Sequence, residues 1–217
     1  EKYASKRPDV VIAVGSTVLQ FINKYRDIIS PSIPLVFAGV SPETYSSEQL
    51  SSKTTGVFFK LDLERTLELA EQLQPRAQQL FVIAGTSSVE DTRWQEAARR
   101  TVEQHPRKFE TTYLFGLSHD ALVTEVSRIP RGAIVIFLSF LVDGAGKTFI
   151  PRNVVKAIAQ ISPAPVYGPY DSYIGNGIVG GFVETFESQG AAAADLVSQI
   201  VGGKDPAALP PQANPAQ

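Results

Sequence analysis

The strongest constraint on the fold is a rhythm. Short apolar runs rich in β-branched residues alternate with amphipathic stretches of helical period along almost the whole chain. The runs are VVIAV (10–14), PLVFAGV (34–40), TGVFF (55–59), LFVIAG (80–85), ETTYLF (110–115), AIVIFLSF (133–140), PVYG (165–168) and IVGGFVE (178–184). Their hydrophobicity is continuous rather than alternating, which marks strands buried on both faces, as in a parallel sheet.

The intervening stretches carry helix start signals. Ser16 is expected to cap a helix whose apolar face is Leu19, Ile22, Tyr25 and Ile29, and Asp62 one bearing Leu63, Leu67, Ala70 and Leu73. SVED (88–91) reads as a capping box before Trp94, Ala97 and Ala98, Ser118 precedes Leu122, Val126 and Ile129, and Pro151 suits a first turn before Val154, Val155 and Ile158. A last helix over 186–201 leads to Gly202-Gly203 and a Pro/Ala-rich tail, read as a linker or disordered exit over 204–217. Strand–helix alternation of this kind gives an α/β fold with helices on both faces of parallel sheets. TGVFFKLD and YDSYIGNGIVGG read as crossovers between two lobes, one formed by 1–58 with 173–203 and the other by 59–172. The opening EKYASKRPD looks like a helix end entering a strand, so at least one β-α unit is expected upstream of it.

Bulk chemistry removes several classes. A formal net charge of -2, with no basic run, argues against nucleic acid as a partner. No apolar stretch is long enough to span a bilayer, and no signal peptide opens the chain, which reads as a fragment of a longer one. Cysteine is absent, which excludes disulfides and thiolate metal sites and is compatible with an oxidising compartment. The two histidines, His105 and His119, have no partners at ligand spacing, so no metal is expected.

Two glycine-rich stretches invite a nucleotide reading, and neither sustains it. DGAGKT (143–148) ends like a P-loop, but the first glycine of that motif would fall at Leu141, and Phe149 and Ile150 separate Lys147 from the helix at Pro151. GNGIVGG (175–181) has dinucleotide-fingerprint spacing, yet it leads into an apolar run rather than a helix. No nucleophile elbow occurs, so no catalytic residue and no cofactor is assigned.

The loops following the strands are more informative, because open α/β sheets bind ligands beyond the C-terminal ends of their strands. Those loops are GST (15–17), GVS (39–41), GTSSVED (85–91), FLVDGAG (140–146) and YGPYDS (167–172). They are small, hydroxyl-bearing or acidic, and several precede helix N-termini suited to an anionic group such as a carboxylate. Asp143 and Asp171 are expected to face a ligand cation, with Trp94, Tyr170 or Tyr173 against its body.

In order along the chain, RPDVVIAVGSTVLQFI, IPLVFAGVSPE, TTGVFFKLDLERTLELAEQLQP and LFVIAGTSSVEDTRW resemble the ABC-transporter substrate-binding family of periplasmic-binding-protein type I fold. IVIFLSFLVDGAGKTFIPRNVV and PVYGPYDSYIGNGIVGGFVETFESQGAAAADLV are most similar to the version found as the extracytoplasmic sensor region of bacterial sensor histidine kinases. The resemblance covers about residues 7–203 and implies two lobes joined by hinge strands with the ligand between them. Carried onto this chain, the ligand-binding residues are Ser16, Thr17, Gly39 and Ser41 from one lobe, and Thr86, Ser87, Trp94, Asp143, Tyr170 and Asp171 from the other. The resemblance implies that the family's first β-α units, which supply part of its cleft, are missing from this chain.

The function expected on this basis is non-catalytic: an extracytoplasmic domain, membrane-anchored in the longer protein, that binds a small organic solute, amino-acid-like or carboxylate-bearing, and feeds a kinase. A homodimer is left open. A free ABC-transporter substrate-binding protein is the alternative. A nucleotide-using enzyme built on DGAGKT ranks behind both.

Overall fold

The computed structural model describes residues 8–29, 32–47, 50–59, 62–183 and 185–214. The chain divides into two compact units, Glu1–Lys60 with Glu184–Gln217, and Leu61–Val183. The expected helix end in residues 1–7 lies outside the described residues, as does part of each junction, at Lys60, Leu61 and Glu184.

The first unit begins with β1 (Val11–Val14), α1 (Ser16–Lys24), the short α2 (Arg26–Ile29), β2 (Leu35–Val40), α3 (Pro42–Ser47) and β3 (Thr54–Phe58). The second follows as α4 (Leu63–Leu73), β4 (Gln79–Ala84), α5 (Val89–Gln104), β5 (Glu110–Phe115), α6 (His119–Val126), β6 (Ile134–Phe137), α7 (Pro151–Ile161) and β7 (Val166–Tyr167). The chain then returns to the first unit through α8 (Phe186–Val201) and β8 (Gln212–Ala213). Both sheets are wholly parallel, in the orders β1-β2-β3-β8 and β5-β4-β6-β7.

Continuous hydrophobicity has the expected cause in β2, β3, β6 and β7, whose residues are almost all buried, whereas in β1 Ile12 and Val14 are 49% and 64% exposed, so burial on both faces does not hold there. In the first unit Leu35, Phe37 and Val40 pack with Ala13, Leu19 and Ile22 on one side. Val36 and Ala38 pack with Val57, Ala192, Ala193, Leu196 and Ile200 on the other. Val40 joins the Leu35 side because the register shifts between Ala38 and Val40, at Gly39 with φ +68°. In the second unit Ile83, Val135 and Phe137 meet Leu122 and Val126 of α6 and Val154, Val155 and Ile158 of α7. The opposite face is covered by α4 and α5, whose Leu63, Leu67, Ala70, Trp94, Ala97 and Ala98 are buried.

Helix starts follow the sequence at Asp62, Ser88 and Ser118, which accept from the amides of Arg65 (3.3 Å), Asp91 (2.9 Å) and Ala121 (3.3 Å). Caps of this kind are each worth about 1 kcal/mol. Ser16 is different: it is the first helical residue of α1, and Gly15 holds the cap position.

Three further expectations are corrected. Residues 178–183 of IVGGFVE form no strand: Gly180 forms an isolated bridge with Tyr167, and Val179 donates to the Val166 carbonyl at 2.8 Å. A Cβ at Gly181 would lie 2.0 Å from the Gly168 carbonyl oxygen, so the two backbones cross too closely for a ladder to continue. The tail is not all exit or linker, because β8 adds in parallel to Val57 and Phe58 after a 3-10 turn at Pro206–Ala208. Pairing to an open sheet edge needs backbone groups rather than an apolar pattern, so Pro/Ala-rich composition conceals it. The second unit also runs past residue 172, since Tyr173 packs on Phe137 and donates its hydroxyl to the Leu138 carbonyl at 2.9 Å.

Candidate functional site

Parallel strands bring their C-terminal ends to one edge of each sheet. In the first unit Val14 is in register with Ala38, and the Gly15 amide donates to the Ala38 carbonyl at 2.8 Å. Ser16 and Thr17 therefore stand beside Gly39 and Ser41. Ser16 and Ser41 are buried and Thr17 is exposed. Gly39 backs onto α8, where a Cβ would meet Gln189 Oε1 at 3.3 Å. Gln189 is itself buried. Sequence reasoning does not single it out, because nothing in FESQGAAAAD separates it from other polar helix residues.

In the second unit the loop after β4 is tied to the loop after β6. The Gly85 amide donates to the Ser139 carbonyl and the Thr86 amide to that of Val142, each at 2.7 Å. Asp91, in the first turn of α5 and fully buried, completes the tie. Its carboxylate accepts the Ser139 hydroxyl, the Leu141 amide (3.2 and 3.1 Å to its two oxygens) and the Val142 amide (3.1 Å). Only a glycine fits at 85, since a Cβ would stand 2.6 Å from Asp91 Oδ2 and 2.7 Å from the Val142 carbonyl oxygen. Ser87, exposed in the same loop, has φ 63°, and it is the one non-glycine residue with positive φ among the described residues. Backbone held in that region is strained and persists where its surroundings fix it.

Three side chains from two elements form a relay. Trp94 Nε1–H donates to the Tyr170 hydroxyl at 2.8 Å, and that hydroxyl donates to Glu90 Oε1 at 2.9 Å. The rings extend the chain edge-to-face, Trp94 to Tyr170 at 5.9 Å and Tyr170 to Tyr173 at 5.3 Å between centroids. Trp94 is fully buried. Burial pushes the Glu90 carboxyl above its ordinary range, against the lowering pull of the Tyr170 hydroxyl and Arg93. Burial and the neighbouring Glu90 charge push Tyr170 well above the usual phenol value, so it stays a neutral donor.

Asp143 takes a different position from the one expected of a cation-facing group. Its Oδ2 accepts the His119 amide at 3.0 Å, and Oδ1 accepts those of Ala145 (2.9 Å) and Lys147 (2.8 Å). Burial opposes the charge, but these amides and the Lys147 cation outweigh it and hold Asp143 below the ordinary carboxylate range. Asp171 opens a 3-10 turn directly after Tyr170, its carbonyl accepting the Ile174 amide at 2.9 Å. The structure thus brings together Trp94, Tyr170 and Asp171, ties Thr86 and Ser87 to the same strand ends, and turns Asp143 toward the start of α6. Glu90 and Asp91 are the additions. Their signal, an acidic pair in SVED, is indistinguishable in sequence from first-turn acids that favour a helix dipole.

Among the described residues no group of three or more His, Asp or Glu could hold a metal ion, and no helix is long and apolar enough to cross a membrane. The family profile described as ABC transporter substrate binding protein matches residues 1–216. The chain belongs to that family. This family member shares its α/β fold of two parallel sheets with several solved structures. A conserved domain protein from Vibrio cholerae is 18% identical, with a TM-score of 0.70. A ligand-free, open substrate binding protein with adhesive properties from Clostridium difficile is 15% identical, at 0.71. An ABC domain from Streptococcus pneumoniae in complex with L-Trp is 15% identical, at 0.69. Each of the three matches covers 98% of this chain and 70% of the solved chain. No curated protein sequence matches this family member.

Proposed function

We propose that this domain is a non-catalytic, extracytoplasmic binding module for a small organic solute, the input region of a membrane-anchored sensor histidine kinase. The observation that carries the binding reading is the set of strand-end loops. In each unit they present small and hydroxyl-bearing residues beyond the C-terminal edge of a parallel sheet, where such folds take ligands. The residues assigned to the solute are Ser16, Thr17, Gly39 and Ser41 in the first unit, and Thr86, Ser87, Tyr170 and Asp171 in the second. Trp94 holds the Tyr170 hydroxyl, and Asp143 fixes the 143–147 turn and the start of α6. An amino-acid-like solute suits the hydroxyls, amides and aromatic ring gathered there, and an ABC domain of the same fold was crystallised with L-Trp.

A thermal-shift screen of amino acids, organic acids and sugars tests the reading, since a ligand that binds only the folded state raises the melting temperature. No shift with any of them at millimolar concentration would oppose it.

The sensor role rests on the resemblance of the segments 134–155 and 165–197. A free ABC-transporter substrate-binding protein is the second reading, and the family's own description favours it. Deletion of the gene separates the two: loss of solute uptake marks the transporter component, and loss of solute-dependent transcription with uptake intact marks the sensor.

A further inference from the structure

The carboxylates at the strand ends of the second unit are not equivalent. Asp91 is committed to the Ser139 hydroxyl and two amides, and Asp143 to three amides. Glu90 is half-buried in the first turn of α5, and among the described residues no backbone amide donates to its side chain. Its Oε1 accepts the Tyr170 hydroxyl at 2.9 Å. That donor is fixed in place by Trp94 at 2.8 Å and by edge-to-face contact with Tyr173. A carboxylate largely withdrawn from water, with two neutral donors in Tyr170 and Trp94 and the Arg93 charge near it, keeps less solvation than its charge has in water. An ammonium group placed against it would restore that solvation, with the Tyr170 ring as the neighbouring aromatic group.

We infer that Glu90 takes the positively charged group of the solute, and that the solute is a primary or substituted amine with an apolar or aromatic body, amino acids included. This assignment rests on the binding reading above and adds to it a residue and a charge. Arg93 and Asp91 on the same helix, and Tyr170 and Tyr173 from the element packed against it, are the charged and titratable groups facing Glu90. A solute cation must therefore outweigh the Arg93 field, which it does only in contact.

Calorimetric titration with phenethylamine and 3-phenylpropionate, which share a ring and carry opposite charges, tests the assignment. The emission of Trp94, the sole tryptophan, serves as a second readout. Phenethylamine should bind the wild type about tenfold or more tightly than it binds Glu90→Gln, with Glu90→Asp recovering part of the loss. Wild-type affinity should fall on acidification as Glu90 protonates, and the Glu90→Gln profile should be flat. A single cooperative urea transition in ligand-free Glu90→Gln establishes that the variant is folded. Equal loss for both probes, no loss, a loss that follows Asp171→Asn instead, or no binding of the amine to the wild type overturns the assignment. A melting-temperature rise with an uncharged or anionic solute would then leave the binding reading standing without Glu90, and no rise with any solute would remove both.

Discussion

Asp143 holds the backbone amide of His119 at 3.0 Å, so an aspartate in a turn after β6 acts as a second acceptor at the start of α6, beside the Ser118 cap. Its other oxygen closes the 143–147 turn, and Val142 and Thr148 bridge across it. The same carboxylate thus fixes both a turn and a helix end, and it does so in its ionised form.

That dependence sets a pH signature. The folded pKa of Asp143 lies below its ordinary value of 3.8. The ionised group therefore contributes stability that is fully present above that value and is lost as pH falls through the lower folded one. Asp143→Asn should lower the urea midpoint at neutral pH, and the gap to wild type should close below about pH 4, the ordinary carboxylate range. A gap that stays constant with pH would count against this role.

Asp91→Ala removes the buried acceptor of the Ser139 hydroxyl and of the Leu141 and Val142 amides. Buried donors left unsatisfied cost about 1–3 kcal/mol each, so a loss on the order of 3 kcal/mol is expected. For a chain of this size that is roughly a 6–12 °C fall in melting temperature. Asp91→Asn, which keeps one acceptor oxygen, should recover part of it. A fall of only a degree or two, about what a surface substitution gives, would mean that the two loops are held by other contacts.

How far the sequence foretells these features depends on range. Most of the strands, the two-sided burial of the central ones, the caps at Asp62, Ser88 and Ser118 and the Pro151 helix start are written in neighbouring residues, and they are legible there. So are the loops Gly15-Ser16-Thr17 and Thr86-Ser87, because each follows an apolar run directly. The ties that organise the second unit's loops are not local. Asp91 meets Ser139 and Val142 from 48 and 51 residues away, and Tyr170 meets Trp94 and Glu90 from 76 and 80. No periodicity encodes such pairs. They exist only once the parallel order β4-β6-β7 sets those strand ends side by side.

Glu90 carries a second pH signature, opposite in sign to that of Asp143. Burial first, partly offset by the Tyr170 hydroxyl, raises its folded pKa above the ordinary 4.5. Ionising a group with a raised folded pKa destabilises the fold, so stability falls as pH rises from about that value through the folded one. Glu90→Gln should therefore stabilise the ligand-free protein at neutral pH and lose that advantage in acid. Chemical denaturation at the two pH values measures it, and destabilisation at neutral pH would contradict it.

Tyr170→Phe removes the hydroxyl that accepts from the Trp94 indole N–H at 2.8 Å and donates to Glu90 at 2.9 Å. The expected cost is about 1–3 kcal/mol by urea unfolding, with a shifted Trp94 emission that reports the same change optically. Unaltered emission would show that the indole does not sense the hydroxyl.

The Gly146-Lys147-Thr148 stretch makes the last prediction. A phosphate-binding loop needs consecutive amides converging on an empty concavity. Here the amides of Ala145 and Lys147 converge on Asp143 Oδ1, and that of Gly146 donates to the Asp143 carbonyl at 3.0 Å. The turn has the shape of an anion site, and its own aspartate fills it. ATP with magnesium should give no binding heat with the wild type, and Lys147→Ala, at an exposed position, should lower the melting temperature by no more than about a degree or two, the scale of a surface substitution. Asp143→Ala vacates the concavity, so inorganic phosphate should raise the melting temperature of that variant and not of the wild type. Nucleotide binding by the wild type that Lys147→Ala abolishes would reinstate the loop as a phosphate site.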